Sequence, residues 1–411
     1  MRAARLHAVG DLRVAEEPEP AAEGPDVSLV RVTAVGICGS DLHWWDEGAI
    51  GDARISHPLV LGHEGAGVIA DGPRRGERVA IDPAIPCETC RACRDGYRNL
   101  CYRIRFSGHG DTDGMFREVM AWPSHLLHPL PDGVSDAGGA LLEPLGVAIH
   151  SVDLGHLPFA GTASVIGCGP IGLLLIQLLT VAGARSVLAV EPMAHRREAA
   201  ERAGADVVVD PAADVADAGV DVAFEAAGND EGVALAMASV RPGGRVVLAG
   251  IPGDDAISFG ASLARRKGLT IAMVRRMNEV YPRAISLAER KLVDLDSVVT
   301  SRSGLGEIAE AFGAAARRTG LKAVIEPQRL NHQDRVCGCA RGGSRWCSTA
   351  AACWCSWSSG GRVIPKARAW RASPRRRGRS WPGWRAAGSR RGRGAGRSCC
   401  GRAAWARGSG P

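Results

Sequence analysis

The sequence has no run of about 18 consecutive apolar residues, so no membrane-spanning helix is expected. Its first ten residues, Met1 to Gly10, lack the charged, apolar and small-residue zones of a secretory leader. Both absences point to the cytoplasm, where thiols stay reduced and cysteines serve metals more readily than disulfides. Positive charge is also outnumbered by negative over most of the length. The stretch from Gln328 onwards holds 19 Lys+Arg against one acidic residue, so a total of +7 leaves residues 1–327 at −11. An acidic body argues against a nucleic-acid enzyme on electrostatic grounds. No nucleic-acid and no membrane partner is therefore expected. At 411 residues and 45% hydrophobic content, two or three ordinary domains fit.

What is present divides in three. Residues 1–142 carry short β-rich segments punctuated by Gly and Pro, with strands expected at Val27 to Ala34, Gly67 to Ala70 and Arg78 to Ile81. From 143 the pattern alternates. Apolar runs at Ala163 to Ile166, Ser186 to Val190, Asp206 to Val209, Asp221 to Glu225 and Arg245 to Ala249 are the expected strands. Helices are expected at Ile171 to Gly183 and His195 to Ala203. Such alternation predicts a parallel sheet covered on both faces. Gly306 to Arg318 reads as an amphipathic helix and Lys322 to Ile325 as a closing strand. Beyond Pro327 the periodicity stops. The tail holds 7 of the 10 Trp and 7 of the 13 Cys. Residues 328–411 are expected to be a non-globular extension, disordered or an out-of-frame product of GC-rich coding sequence; an Arg-rich nucleic-acid arm is the rival reading.

Four constellations carry chemistry. Cys87, Cys90, Cys93 and Cys101 have the spacing of a tetrathiolate zinc site, a closed shell that staples a loop rather than doing chemistry. The residues between them are polar, so the metal supplies the folding energy of the lobe. Cys38 stands in Gly36-Ile37-Cys38-Gly39-Ser40-Asp41-Leu42-His43, at the end of an expected strand. His63 and Glu64 lie in a glycine-rich bend, and Glu143 at the junction with the second half. Cysteine, imidazole and carboxylate give zinc a mixed shell with a position left for substrate or water. Gly167-Cys168-Gly169-Pro170-Ile171-Gly172 is a G-x-G-x-x-G turn between a strand and a helix, and Glu191 ends the next strand. Such a turn seats a pyrophosphate on a helix N-terminus, and a carboxylate there favours NAD over NADP. Arg196 and Arg197 stand close by and weaken that preference. His109, in Gly108-His109-Gly110, reads as ordinary packing, as do His7, His57, His125, His128, His150, His156 and His195.

Together these motifs resemble the zinc-dependent medium-chain dehydrogenases over residues 1–327, and more narrowly their polyol branch, the sorbitol (L-iditol) and L-idonate 5-dehydrogenases. C-G-S-D-x-H followed by two aromatics, G-x-I-G-D at Gly48 to Asp52 and P-x-V-L-G-H-E at Pro58 to Glu64 carry the narrower likeness. The resemblance implies an α/β plus β architecture. A GroES-like catalytic domain would span 1–142, a Rossmann NAD-binding domain 143–282, and a segment 283–327 would return to the catalytic domain. It implies one catalytic zinc on Cys38, His63 and Glu64, with Glu143 either a ligand or the holder of water or substrate, and one structural zinc on the four cysteines. Ser40 matches the hydroxyl that touches the substrate oxygen and His43 the end of a proton relay running by way of the cofactor's ribose. Gly167, Gly169, Ile171, Gly172, Glu191, Arg196, Gly250, Ile251 and Arg275 match cofactor contacts.

Two positions depart from the polyol pattern. Trp44 replaces a tyrosine after the relay histidine, and Arg276 replaces a tyrosine beside Arg275. The extra cation leans towards a sugar acid over a neutral polyol. The expected reaction is oxidation of a secondary alcohol of a polyol or sugar acid to a ketone, by a homo-oligomer. Threonine 3-dehydrogenase, general alcohol dehydrogenase, a zinc-free quinone reductase and a silent NAD-binding protein are the alternatives.

Overall fold

The computed structural model describes residues 1–329 except 213, 214, 216, 217 and 254. The expectations for the Arg/Trp/Cys-rich tail lie outside the described residues from 330 onwards.

One strand organises the first half. Val27–Gly36 places Val30, Val32 and Ala34 in the core and turns Arg31 and Thr33 outwards. The β-branched residues suit a pleated, half-buried surface. It pairs antiparallel with Glu64–Ile69, with Val119–Pro123 and with Lys322–Ile325. Register matters more than length here. Gly36 faces Glu64 on one side and Val324 on the other, so three distant segments converge where this strand ends. Lys322–Ile325 also pairs parallel with Val299–Ser303, so the C-terminal segment completes the first sheet. Phe312 of the helix Ile308–Ala316 packs edge-on against Phe116, both fully buried. Burial of such a ring stabilises by about 1.5–3 kcal/mol.

The second half is a six-stranded sheet, parallel throughout, of Thr162–Ile166, Ser186–Val190, Val207–Val209, Val220–Glu225, Val240–Leu248 and Thr270–Met273. Numbered in chain order within that sheet, the strands lie 3-2-1-4-5-6, the order of doubly wound dinucleotide-binding folds. The crevice of such a sheet opens where the order reverses, at the ends of Thr162–Ile166 and Val220–Glu225. The expected strands and helices are present with ends shifted by a few residues. The largest difference is Val240–Leu248, which starts five residues before the expected Arg245. It runs through Pro242-Gly243-Gly244, and the register shift between Val220 and Val222 absorbs the irregularity.

The helix Leu142–Gly155 joins the halves. It packs against Pro170–Val181 and Tyr281–Glu289, and its first turn carries Glu143 beneath the first sheet. Among the described residues no helix is long and apolar enough to cross a membrane.

Candidate metal and dinucleotide site

Cys38 is the N-cap of the helix Gly39–Glu47, directly after the central strand. Glu64 begins the neighbouring strand, Glu64–Ile69, and His63 directly precedes it. Because Gly36 pairs with Glu64, the two loops end side by side, and one ligand atom each from Cys38, His63 and Glu64 lies within 4.8 Å of the others. Gly36 has to be glycine, since a Cβ there would fall 2.1 Å from Glu64 Oε2. Asp41, which motif reading left without a role, ties the site together. Its Oδ2 accepts from the Cys38 amide at 2.9 Å and its Oδ1 from the Gly62 amide at 3.2 Å. The same Oδ1 lies 3.4 Å from His63 Nδ1, which leaves Nε2 facing Ser40 Oγ at 3.3 Å. An outer carboxylate on one imidazole nitrogen fixes the ring so that the other can bind a metal.

The electrostatics are those of a cation site. Burial opposes a charge on His63, yet Asp41 and the Cys38 sulfur outweigh it and hold the imidazole well above its ordinary range. Glu64 is 1% exposed, and Lys322 Nζ donates to both its oxygens at 2.8 Å and to the Ile37 carbonyl at 3.0 Å. Burial opposes the Lys322 charge as well, but Glu64 and Cys38 raise its pKa. Glu143 is close enough to feel His63, Glu64 and Lys322, and desolvation, the largest effect, pushes it up to about 7. It lies outside the three-residue cluster. Thiolate, imidazole and carboxylate at this spacing fit a zinc ion with one position left open.

The four lobe cysteines also converge, with every Sγ within 4.8 Å of the rest. Cys90 Sγ is 3.5 Å from Cys93 Sγ and 3.9 Å from Cys101 Sγ. Zinc–sulfur bonds of about 2.3 Å at tetrahedral angles put sulfurs about 3.8 Å apart. Backbone amides of Cys87, Cys90 and Arg103 point at the sulfurs of Cys101, Cys87 and Cys101. Amides of Thr89 and Cys90 help hold the Cys87 thiol down at about 5. The lobe is closed below by the short pair Ala84–Ile85 and Arg105–Phe106.

The glycine-rich turn has the shape a pyrophosphate needs. Gly167 adopts φ +89°, and a Cβ there would lie 2.8 Å from the Ala227 amide. A Cβ on Gly172 would fall 2.0 Å from the Gly167 carbonyl, so helix and strand touch through glycine. Gly169, the N-cap of Pro170–Val181, is open; only Arg196 Nη1 comes within 4 Å of a Cβ position there, at 3.6 Å. Ile171 is half-buried behind it. Glu191 sits at the turn, accepting from the Cys168 amide at 2.8 Å and the Met193 amide at 2.9 Å. A carboxylate has about four acceptor sites, so capacity for ribose hydroxyls remains. Arg197 is turned away onto Asp210. Glu225, missed by motif reading, accepts from Ala227 and Gly228, and Gly250 packs on that loop so tightly that a Cβ would fall 2.3 Å from the Gly228 amide. Ile251 is half-exposed at the crevice.

The two halves meet around the metal cluster. His43, bonded to Glu47 at 3.1 Å, has its Cε1 3.9 Å from a Cβ position on Gly253. Asn99 of the cysteine lobe donates to the Arg275 carbonyl at 2.9 Å. Phe106 packs on His63, with ring centroids 5.4 Å apart, and Arg276 lies over Phe106. His109, read from sequence as ordinary packing, sits edge-on to Trp44 at 5.4 Å. Burial first, then Arg276 and Arg275, depress its pKa.

Comparisons with known proteins agree with this arrangement. Residues 24–132 match the alcohol dehydrogenase GroES-like domain and residues 170–290 the zinc-binding dehydrogenase domain. Sorbitol dehydrogenase of Bacillus subtilis is 32% identical over 346 residues, covering 80% of this chain and 98% of that protein. The crystal structure of L-idonate 5-dehydrogenase from Escherichia coli superposes with a TM-score of 0.74 at 26% identity, over 79% of this chain and 97% of that one. A zinc-binding dehydrogenase from Sinorhizobium meliloti, solved bound to NADP, gives 0.72 at 32% identity, over 79% and 99%.

Proposed function

The chain belongs to the zinc-dependent medium-chain dehydrogenases, in their polyol branch, and on that premise we propose that it oxidises a secondary alcohol of a polyol or sugar acid to a ketone with NAD as acceptor. It is an oxidoreductase with a zinc and a nicotinamide requirement and a small polyol-type substrate. The observation that carries the reading is the contact chain from Arg276 through Phe106 to His63, which brings the far end of the dinucleotide sheet against the Cys38–His63–Glu64 cluster.

We assign the catalytic zinc to Cys38, His63 and Glu64 and a second, structural zinc to the four lobe cysteines. The bound zinc supplies a Lewis acid that lowers the pKa of the substrate alcohol, and the nicotinamide supplies the hydride acceptor. The protein's own residues do the rest. Ser40 Oγ, beside His63 Nε2, takes the alcohol proton. His43, one turn further along the same helix and facing the Gly250–Gly253 loop, returns it to solvent. A relay of this kind contributes about 10²–10⁴-fold. Glu143, buried in the first turn of Leu142–Gly155, holds the substrate or a water beside the ion. Gly167, Gly169 and Gly172 admit the pyrophosphate, Arg196 stands next to it, and Glu191 accepts from the adenosine ribose. Gly250, Ile251 and Arg275 border the nicotinamide half. The edge strand Thr270–Met273, with Ile271 and Met273 exposed, supports pairing of copies into a homo-oligomer.

The test is dinucleotide reduction by the zinc-loaded chain over polyols, sugar acids, threonine and short alcohols, with NAD and NADP in parallel. The proposal expects the highest kcat/KM with NAD and a polyol or sugar acid. Preference for threonine would move the chain to another branch of its family.

A further inference from the structure

Arg276 is a strongly cationic side chain that the fold drives towards the reacting centre with no ion-pair partner among the described residues. Its guanidinium carbon lies 3.9 Å from the centroid of the Phe106 ring, which packs on His63. Cation and metal-site imidazole are therefore no more than about 9.3 Å apart, within reach of a five- or six-carbon chain. Its Nη1 is buried and has no hydrogen-bond partner among the described residues. Glu143 attracts it without bonding to it, while Arg275 repels it, and burial, the largest effect, lowers its pKa to about 10. The backbone is unusual as well. Arg276 has φ +56°, in the left-handed region that long side chains seldom occupy. Such outliers persist where the surroundings hold them, and they cluster at ligand sites. Three basic groups, Arg276, Arg275 and His109, thus share one wall of the cleft, beside the indole of Trp44.

A guanidinium with one buried, orphaned N–H is costly unless an acceptor completes it, and an anion does so best. Cation–π contact with Phe106 satisfies the flat face of the guanidinium and leaves its edge N–H groups free for in-plane bonds. Carboxylate and phosphate are the groups whose oxygens match that edge. From this geometry, and resting on the dehydrogenase reading above, we propose that Arg276, with Arg275, binds an anionic terminal group of the substrate and selects carboxylate- or phosphate-bearing sugar alcohols over neutral polyols. The carbinol then lies at the Cys38–His63–Glu64 cluster and the anion at the opposite end of the carbon chain.

The experiment compares a hexitol, a six-carbon aldonate and a hexitol phosphate as substrates of the full-length zinc-loaded chain, Arg276→Tyr and Arg276→Lys. The wild type is expected to favour one of the anions over the hexitol by about ten-fold or more in kcat/KM, about 1.4 kcal/mol of transition-state binding. Which anion wins separates a carboxylate from a phosphate ligand. Arg276→Tyr should lower that anion-to-hexitol ratio by about ten-fold through KM, and Arg276→Lys should recover part of it, since lysine keeps the charge but not the fork. Quenching of tryptophan fluorescence by the preferred anion on the dinucleotide-loaded protein should weaken in parallel. Equal loss for all three substrates in Arg276→Tyr would make the residue a packing element and overturn the proposal. So would a wild type that turns over the hexitol at least as well as both anions, although that result leaves the dehydrogenase reading standing. No turnover of these three, nor of any vicinal diol with either dinucleotide, would remove the dehydrogenase reading and this proposal with it.

Discussion

Lys322 shows what a single residue does in this site and why sequence alone does not show it. Its side chain is 3% exposed, and its ammonium meets both oxygens of Glu64 across 258 positions of sequence. Nothing local marks a lysine in a short closing strand as part of a metal site. The pairing exists because Val324 lies opposite Gly36, and Gly36 lies opposite Glu64. Cys38, His63 and the lobe cysteines were legible because their chemistry is rare and their spacing short. Lys322 and Asp41 were not, because their roles depend on register and on a shared hydrogen-bond network. Removing one partner of a buried pair costs about 3–5 kcal/mol, because the other charge is left uncompensated. In the zinc-free chain, where no metal balances Glu64, Lys322→Met should therefore lower the urea midpoint strongly, and Lys322→Arg should largely restore it. A Lys322→Met protein as stable as wild type would mean that Glu64 finds its charge balance elsewhere. Glu191 is tested more gently. Glu191→Ala should raise the KM for NAD several-fold with less effect on kcat; an unchanged KM would remove it from the ribose role.

The cysteine lobe is the element whose sequence and structure are most fully linked. Its residues between the ligands are polar, and Tyr97, Leu100 and Tyr102 are exposed, so it has no core of its own. The convergence of four sulfurs takes the place of one. Cys93→Ser should lower the Tm and increase protease cutting between residues 87 and 101, as should a strong chelator on the wild type. Resistance to both would contradict the metal as the staple. The lobe also reaches the second half through Asn99 and the Arg98–Glu279 pair, so its loss should affect activity as well as stability. Other elements were harder to read. Leu142–Gly155 contains Pro144 and Gly146 and is buried on most sides, so it shows no clean polar face. The strand that begins at Val240 hides behind Pro242-Gly243-Gly244, residues that ordinarily signal a turn.

For the whole molecule, the alternation of strands and helices in residues 162–273 made the parallel sheet legible, whereas the closing of the first sheet by residues 322–325 needs a pairing that periodicity does not carry. Sorbitol dehydrogenase of Bacillus subtilis has 98% of its length matched by 80% of this chain. A chain ending at Arg329 should accordingly keep the full kcat/KM and zinc content; loss of either would give the following segment a part in the enzyme. The proposed reaction requires a zinc ion held by Cys38, His63 and Glu64 beside the dinucleotide crevice. The most direct measurement is zinc content per chain, determined together with NAD binding and turnover, for the wild type, Cys38→Ser and Cys93→Ser. The wild type should hold two zinc ions and Cys38→Ser one, and Cys38→Ser should stay folded, bind NAD and be inactive. A Cys38→Ser protein that keeps both ions, or that still turns over substrate at the wild-type rate, would contradict that requirement.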